Sequence, residues 1–514
     1  MLTLREIFLY SDRSPLIFSQ YLFLFLFTVG FAIFSLIHKN KSWRNLYLLL
    51  FSLFFYYKSG GLYFWLLLLS TVVDYYCGNA IHKTSKQHLR KTYLVISLVA
   101  NLGLLAFFKY SNYFVDLVNG WFGTEFAAVN FMAMIGNVFG GSFDIHEIIL
   151  PVGISFYTFQ TLSYTIDIYR REIEPARNII DFGFFVTFFP QLVAGPIVRA
   201  ADFLPQMYKK YSLTREQFGA AVFLIMCGLF KKVVVSDYLS VNFVDRVFED
   251  PQLYSGFSNL MAVYGYSIQI YCDFSGYSDI AIGASRIMGY DLMENFRQPY
   301  LAKSISEFWH RWHISLSSWF RDYLYIPLGG NRVGKMRWYL NLMIVFVVSG
   351  LWHGANWTFV VWGFLHGAFL VFAVLVAGLR ERWFHFSGLN RMPKLLNFLK
   401  IVVTFHLVCL GWIFFRANSL GDALFIVQQI AQLNFSPESI EALVVKDLGL
   451  AEMLVAIASI GFLLIAHFVL NSQKLSGHIV TFPRSARWAF YYALILGIAF
   501  FGVFSQSEFI YFQF

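Results

Sequence analysis

Charged side chains are scarce in this sequence. Lys, Arg, Asp and Glu make up 13% of its 514 residues, where a soluble globular domain carries about 25%. A water-facing surface of ordinary composition is therefore excluded. Cysteine is scarce too: Cys77, Cys227, Cys272 and Cys409 lie scattered in or beside apolar runs, without a C-x-x-C pair. Such spacing offers neither a zinc site nor a disulfide framework, and buried free thiols are the expectation. The sequence also lacks a G-x-S-x-G motif, an H-E-x-x-H motif, an internal repeat, a low-complexity tract and a soluble domain-sized segment.

What abounds is apolar and aromatic. Hydrophobic residues reach 58% and aromatics 20%, including 60 Phe and 30 Tyr. Such a set cannot all be buried inside a water-soluble core, but a lipid-facing surface removes the need. Leu16–Ile37 is an apolar run without a single charge; Tyr93–Phe108, Phe218–Phe230, Asn356–Ala377, Ile401–Phe415, Met453–Leu470 and Ala489–Phe504 follow. With shorter, polar-interrupted runs between them, roughly eleven to thirteen spans are expected in one membrane domain covering residues 1–514. The runs are continuous rather than alternating, which argues against a β-barrel. Leu16–Ile37 is too long for a signal core and is not followed by a cleavage pattern, so it is expected to stay as the first span.

The net charge of +9 is concentrated in loops. Lys39, Lys41 and Arg44 form one basic group; Lys83, Lys86, Arg90 and Lys91 the next; then come Arg170, Arg171, Arg177, Lys209, Lys210 and Arg215. Arg380 with Arg382, and Lys474, Arg484 and Arg487, complete the series, whereas no Lys or Arg lies between Lys109 and Arg170. Basic loops stay cytoplasmic, so the pattern places Asn119–His146, Ala417–Gly449 and both termini outside. It reads as topology, not as a nucleic-acid surface.

Three stretches hold more polar and helix-breaking residues than lipid tolerates. In Leu150–Asp167 and Phe189–Pro196, Pro151, Gly153, Pro190, Gly195 and Pro196 interrupt helical hydrogen bonding at apparent membrane depth. Re-entrant segments lining a cavity and kinked helices are both open readings. In Tyr271–Ile280, Asp273 and Asp279 must face protein or water; either they serve the site, or they pair with backbone or Arg at an interfacial helix end. In Ser304–Gly330, Trp309, Trp312, Trp319 and Phe320 interleave with Arg311, Arg321 and Asp322, the pattern of an amphipathic interfacial segment. His310 and His313, at i and i+3, are expected on one helix face.

Met343–Trp357 then places His353 in an otherwise apolar stretch, with His366 one run further along. An ionisable residue at that depth is a candidate for function; a neutral core histidine bonded to a carbonyl is the alternative. Gly350 and Gly354 beside it allow a ligand or a second backbone to approach closely. Zinc on His310, His313 and His353 lacks the usual ligand spacing, so no metal is expected.

At these residues the sequence resembles the membrane-bound O-acyltransferase family, in its alginate O-acetyltransferase-like branch. The matching text is YCDFSGYSDIAIG at Tyr271–Gly283, FWHRWHISLSSWFRDYLYIPLGGNR at Phe308–Arg332, SGLWHGANWTFVVWGFLHG at Ser349–Gly367, GWIFFRANSL at Gly411–Leu420 and FIYFQF at Phe509–Phe514. The resemblance implies an all-α polytopic membrane bundle with re-entrant segments and a central funnel. It puts the family's catalytic histidine on His353 and the second signature position on His313. His310, Trp352, Asp273, Arg311, Arg321 and Asn356 are secondary candidates for binding substrate. It further implies an O-acyltransferase of the bacterial cytoplasmic (inner) membrane without a tightly bound cofactor. Its donor would be acetyl-CoA or another acetyl thioester, and Lys303, Arg311 and Arg321 either attract donor phosphates or anchor the interface. The acceptor would be a polysaccharide outside, reached through an extracytoplasmic SGNH-type, serine-esterase-like partner. D-alanyl transfer toward teichoic acid and non-catalytic transport of acyl groups or polymer remain alternatives.

Overall fold

The computed structural model describes residues 4–11, 15–138, 144–192, 195–432, 436–469 and 483–504. The terminal match Phe509–Phe514, Lys474, Val193 and Ala194 lie outside the described residues, as do short parts of the two loops read as external. Among the described residues every regular element is helical.

Four long helices open the chain: α1 (Tyr21–Ile37), α2 (Lys41–Gly60), α3 (Phe64–Lys83) and α4 (Gln87–Phe122). In α3 and α4 the amphipathicity is reversed relative to a soluble bundle. On α4, Val99 and Leu102 are exposed while Ser97 and Asn101 are buried; on α3, Leu69 and Val72 are exposed while Ser70, Thr71 and Asp74 are buried. Ser97 and Asn101 both donate to Asp74, at 2.6 and 2.8 Å. Polar side chains inside and aliphatic ones outside are what a hydrocarbon solvent selects.

Next come α5 (Ile154–Arg170) and α6 (Ile179–Thr187), then α7 (Arg215–Leu229), which continues as a π-helical turn, Phe230–Ser236, and α8 (Gly256–Ile287). Pro151 and Gly153 stand just before α5, with Gly153 at φ 72°, so they start that helix rather than kink it. Pro190 sits in a single helical turn, Phe189–Leu192, that is wholly buried in protein. A single turn leaves most of its backbone groups without helical partners, and in an apolar surrounding it requires that cover. α7 and α8 cross where a Cβ on Gly228 would lie 2.5 Å from the Gly276 carbonyl oxygen, a contact only glycine permits.

Two short helices follow, α9 (Ile305–Trp309) and α10 (Ile314–Phe320), then α11 (Lys335–His353), α12 (Trp357–Leu375), α13 (Pro393–Arg416), α14 (Leu450–Val469) and α15 (Arg484–Phe501). Among the described residues, five helical stretches are long and apolar enough to cross a membrane, or six if a pair bent by 93° counts as one. This is a count of long apolar helices. The estimate of eleven to thirteen counted apolar runs of every length, including those folded here as shorter or more polar helices such as α1, α5 and α11.

Candidate active site

His353 is the last residue of α11 and is 5% exposed. Gly350, one turn earlier, faces a second backbone and not an open space. A Cβ there would lie 2.3 Å from the Phe359 carbonyl oxygen, and a Cβ on Gly363 would lie 2.3 Å from that of Phe346. Thus α11 and α12 meet through glycine, and this crossing fixes where α11 ends. Around His353 stand Trp352 at 4.9 Å between ring centroids, Trp362 at 5.0 Å and Phe415 at 5.2 Å, all edge-on. They come from α11, α12 and α13, so three helices build one aromatic box.

The end of α11 is also tied to α4. Lys109 Nζ donates to the Trp352 and His353 carbonyls at 2.6 and 2.7 Å, and the Tyr110 hydroxyl donates to the Leu351 carbonyl. The last carbonyls of a helix have no partner within it, and the ammonium supplies one while opposing the negative end of the helix dipole.

His313 is 1% exposed and opens α10 with φ 43° and ψ 56°. A non-glycine residue in the left-handed region costs on the order of 1–3 kcal/mol, and such strain clusters at functional sites. It is sustained by hydrogen bonds from a distant segment. Ile314 N–H donates to the Asn295 carbonyl at 2.9 Å, Ser315 N–H to Asn295 Oδ1 at 3.1 Å, and Arg297 N–H to the Arg311 carbonyl at 2.8 Å. Phe274 of α8 packs edge-on against the His313 ring at 4.5 Å, and Trp352 lies at 6.4 Å. Trp352 is therefore in ring contact with both histidines.

His310 does not share a helix face with His313. α9 ends at Trp309, the chain turns at His313, and His310 is exposed with its Nδ1 2.6 Å from the Ser306 carbonyl oxygen. The i, i+3 argument requires a continuous helix, and the break removes it. A zinc set of His310, His313 and His353 is therefore not assembled. The aromatic residues of this segment, Trp309, Trp312, Trp319 and Phe320, are buried in protein, while Arg321 and, further on, Ile326 are exposed.

Among the secondary candidates, Trp352 is in the box. Asn356 is exposed and caps α12, accepting from the Thr358 N–H at 3.0 Å. Arg311 is paired with Glu307 at 2.6 Å. Burial opposes ionisation of Glu307, but the Lys303 backbone N–H and Arg311 outweigh it and hold the carboxyl below its ordinary range. Arg321 and Arg199 share Asp322, at 2.7 and 2.6 Å; partial burial raises its pKa, yet the two guanidinium groups hold that carboxyl low.

Asp273 lies in the middle of α8, not at an interfacial end. It pairs with Lys232 at 2.5 Å, Lys232 also meets Asp237 at 2.8 Å, and Asp279 meets Lys231 at 2.7 Å. The partners are lysines of the π-helical turn rather than arginines, and the sequence reading missed them. Two lysines ending one apolar run and two aspartates in the next were the available signal, since opposite charges at membrane depth pair. Lys109, Trp362 and Phe415 were missed as well; Lys109, the last basic residue before sixty without one, was the detectable member. His366 is buried, accepting at Nδ1 from the Trp309 indole N–H at 3.3 Å.

A family model described as MBOAT, membrane-bound O-acyltransferase family, matches residues 53–416. A probable alginate O-acetylase of Pseudomonas syringae pv. tomato is 36% identical over 472 residues, 90% of this chain and 84% of that protein. A peptidoglycan O-acetyltransferase of Helicobacter pylori is 35% identical over 450 residues, 82% of this chain and 80% of that protein. A teichoic acid D-alanyltransferase of Bacillus subtilis is more distant, 31% identical over 295 residues that cover 53% of this chain and 70% of that protein.

Proposed function

We propose, for a chain that belongs to the membrane-bound O-acyltransferase family, that it is a multi-pass membrane O-acetyltransferase that modifies a cell-envelope or secreted polysaccharide. The relatives named for acetyl transfer to alginate and peptidoglycan, aligned over most of both chains, support acetyl over D-alanyl. The observation that carries the chemistry is Trp352 in ring contact with both His353 and His313, although they stand forty residues apart on separate elements.

His353 is the general base of this reading. A neutral imidazole is suited to take a proton near neutral pH. It removes the proton of the acceptor hydroxyl as that oxygen attacks the carbonyl of an acetyl thioester. The tetrahedral intermediate then expels the thiolate, which takes the proton back from the imidazolium. His313 orients the first imidazole or donates to the developing oxyanion. The aromatic box excludes water, which would otherwise hydrolyse the thioester. Acetyl-CoA is the proposed donor, arriving from the cytosol through a central funnel. A serine-esterase-like partner outside the cytoplasmic membrane completes transfer to the polymer, with both chain termini on that outer side.

Mass spectrometry of envelope and secreted glycans from cells with and without the gene tests the reading. Loss of O-acetyl groups is expected. Unchanged O-acetyl content contradicts it, and loss of D-alanyl esters alone assigns the D-alanyl alternative.

A further inference from the structure

We infer that Lys109 is a positioning residue for the His353 site, an inference that rests on the acyl-transfer reading above. Lys109 belongs to α4, a candidate membrane span, where an ammonium group is costly and requires a partner. It pairs with no carboxylate in any ion pair seen among the described residues. Its partners are the carbonyl oxygens of Trp352 and His353, at 2.6 and 2.7 Å, and its ammonium also stands 5.9 Å from the Trp352 ring centroid.

These are the two residues whose rings meet edge-on at 4.9 Å between centroids. Fixing both of their carbonyls fixes the final peptide of α11, and with it the direction in which each side chain leaves the backbone. The next residue, Tyr110, anchors the Leu351 carbonyl in the same way. Three consecutive carbonyls at the free end of α11 are thus held by two consecutive side chains of one other helix. Without this clamp the terminal turn of α11 keeps the Gly350 crossing but loses what sets the twist of its last peptide.

The test uses the full-length protein in native membrane vesicles, with radiolabelled acetyl-CoA as the probe and rates normalised to folded protein by size-exclusion after detergent extraction. Lys109→Met is expected to lower the maximal rate of acetyl transfer by about ten- to a hundredfold, the loss that a misplaced catalytic group brings. The KM for acetyl-CoA stays within about twofold, because ground-state binding of the donor is untouched. Lys109→Arg, which keeps charge and donors, recovers most of the rate. Lys109→Gln, with one donor group, falls between and serves where the Met variant yields too little protein. A neutral variant that transfers acetyl at the wild-type rate per folded molecule overturns the inference, as does a loss carried wholly by KM. His353→Ala is run alongside: if it retains full transfer, the acyl-transfer reading itself fails, whatever Lys109 does.

Discussion

Replacing Gly350 by alanine perturbs the site without touching a titratable group. The new Cβ would stand 2.3 Å from the Phe359 carbonyl oxygen and 3.4 Å from the Gly363 Cα. An ordinary carbon–oxygen contact is about 3.3 Å, so α11 and α12 must part by about 1 Å at this point. The obstacle is backbone, which no rotamer change relieves. His353 lies three residues further along α11, while Trp362 against its ring belongs to α12, so the separation falls on that ring pair. Overpacking of this kind costs ~1–3 kcal/mol of stability, and a 1 Å misplacement of a reacting group costs roughly a hundredfold in rate. Gly350→Ala is therefore expected to lower the midpoint of thermal denaturation in detergent by a few degrees and acetyl transfer in vesicles by one to two orders of magnitude. Gly103→Ala is the control. It lies on α4 with no atom within 4 Å of the added Cβ, and a helical Gly→Ala change in open space stabilises by about 0.5–1 kcal/mol. Wild-type transfer by Gly350→Ala would refute the idea that the α11–α12 crossing sets the geometry at His353.

Two further changes separate structure from chemistry. Lys231→Met leaves Asp279 buried without its partner and is expected to cost ~3–5 kcal/mol, whereas the double variant with Asp279→Leu recovers much of that in thermal denaturation; equal losses would contradict a buried pair. His313→Ala is expected to lower the maximal rate per folded molecule by about a hundred- to a thousandfold, as loss of an oxyanion donor or an orienting partner does, and to lower the midpoint of thermal denaturation because the buried ring leaves a cavity. A normal rate would remove His313 from the site.

The legible part of this molecule was what composition and isolated anomalies encode. The helical bundle followed from long uncharged runs, and His353 from an ionisable group where apolar neighbours surround it. The close approach at Gly350 followed from glycine's missing Cβ, although the sequence left open whether ligand or backbone would use it. What could not be read was pairing between distant segments. The turn at His313 depends on Asn295 and Arg297, which lie outside the His310–His313 window, so local spacing suggested one continuous face. The lysine partners of Asp273 and Asp279 come from a π-helical turn forty to fifty residues earlier. The clamp of Lys109 spans 244 positions to the His353 carbonyl. Each of these contacts is set by which helices pack side by side, a property that periodicity within one helix does not carry.

If this membrane protein performs acyl transfer through His353, loss of that one side chain abolishes acetylation in the cell. Cells lacking the gene are complemented with the wild-type protein or with His353→Ala, matched for protein level and membrane insertion, and the O-acetyl content of their envelope and secreted glycans is measured. Wild-type acetylation is expected with the first and none above the deletion background with the second. Full acetylation with His353→Ala would contradict it, and would leave the chain as a conduit for acyl groups or polymer.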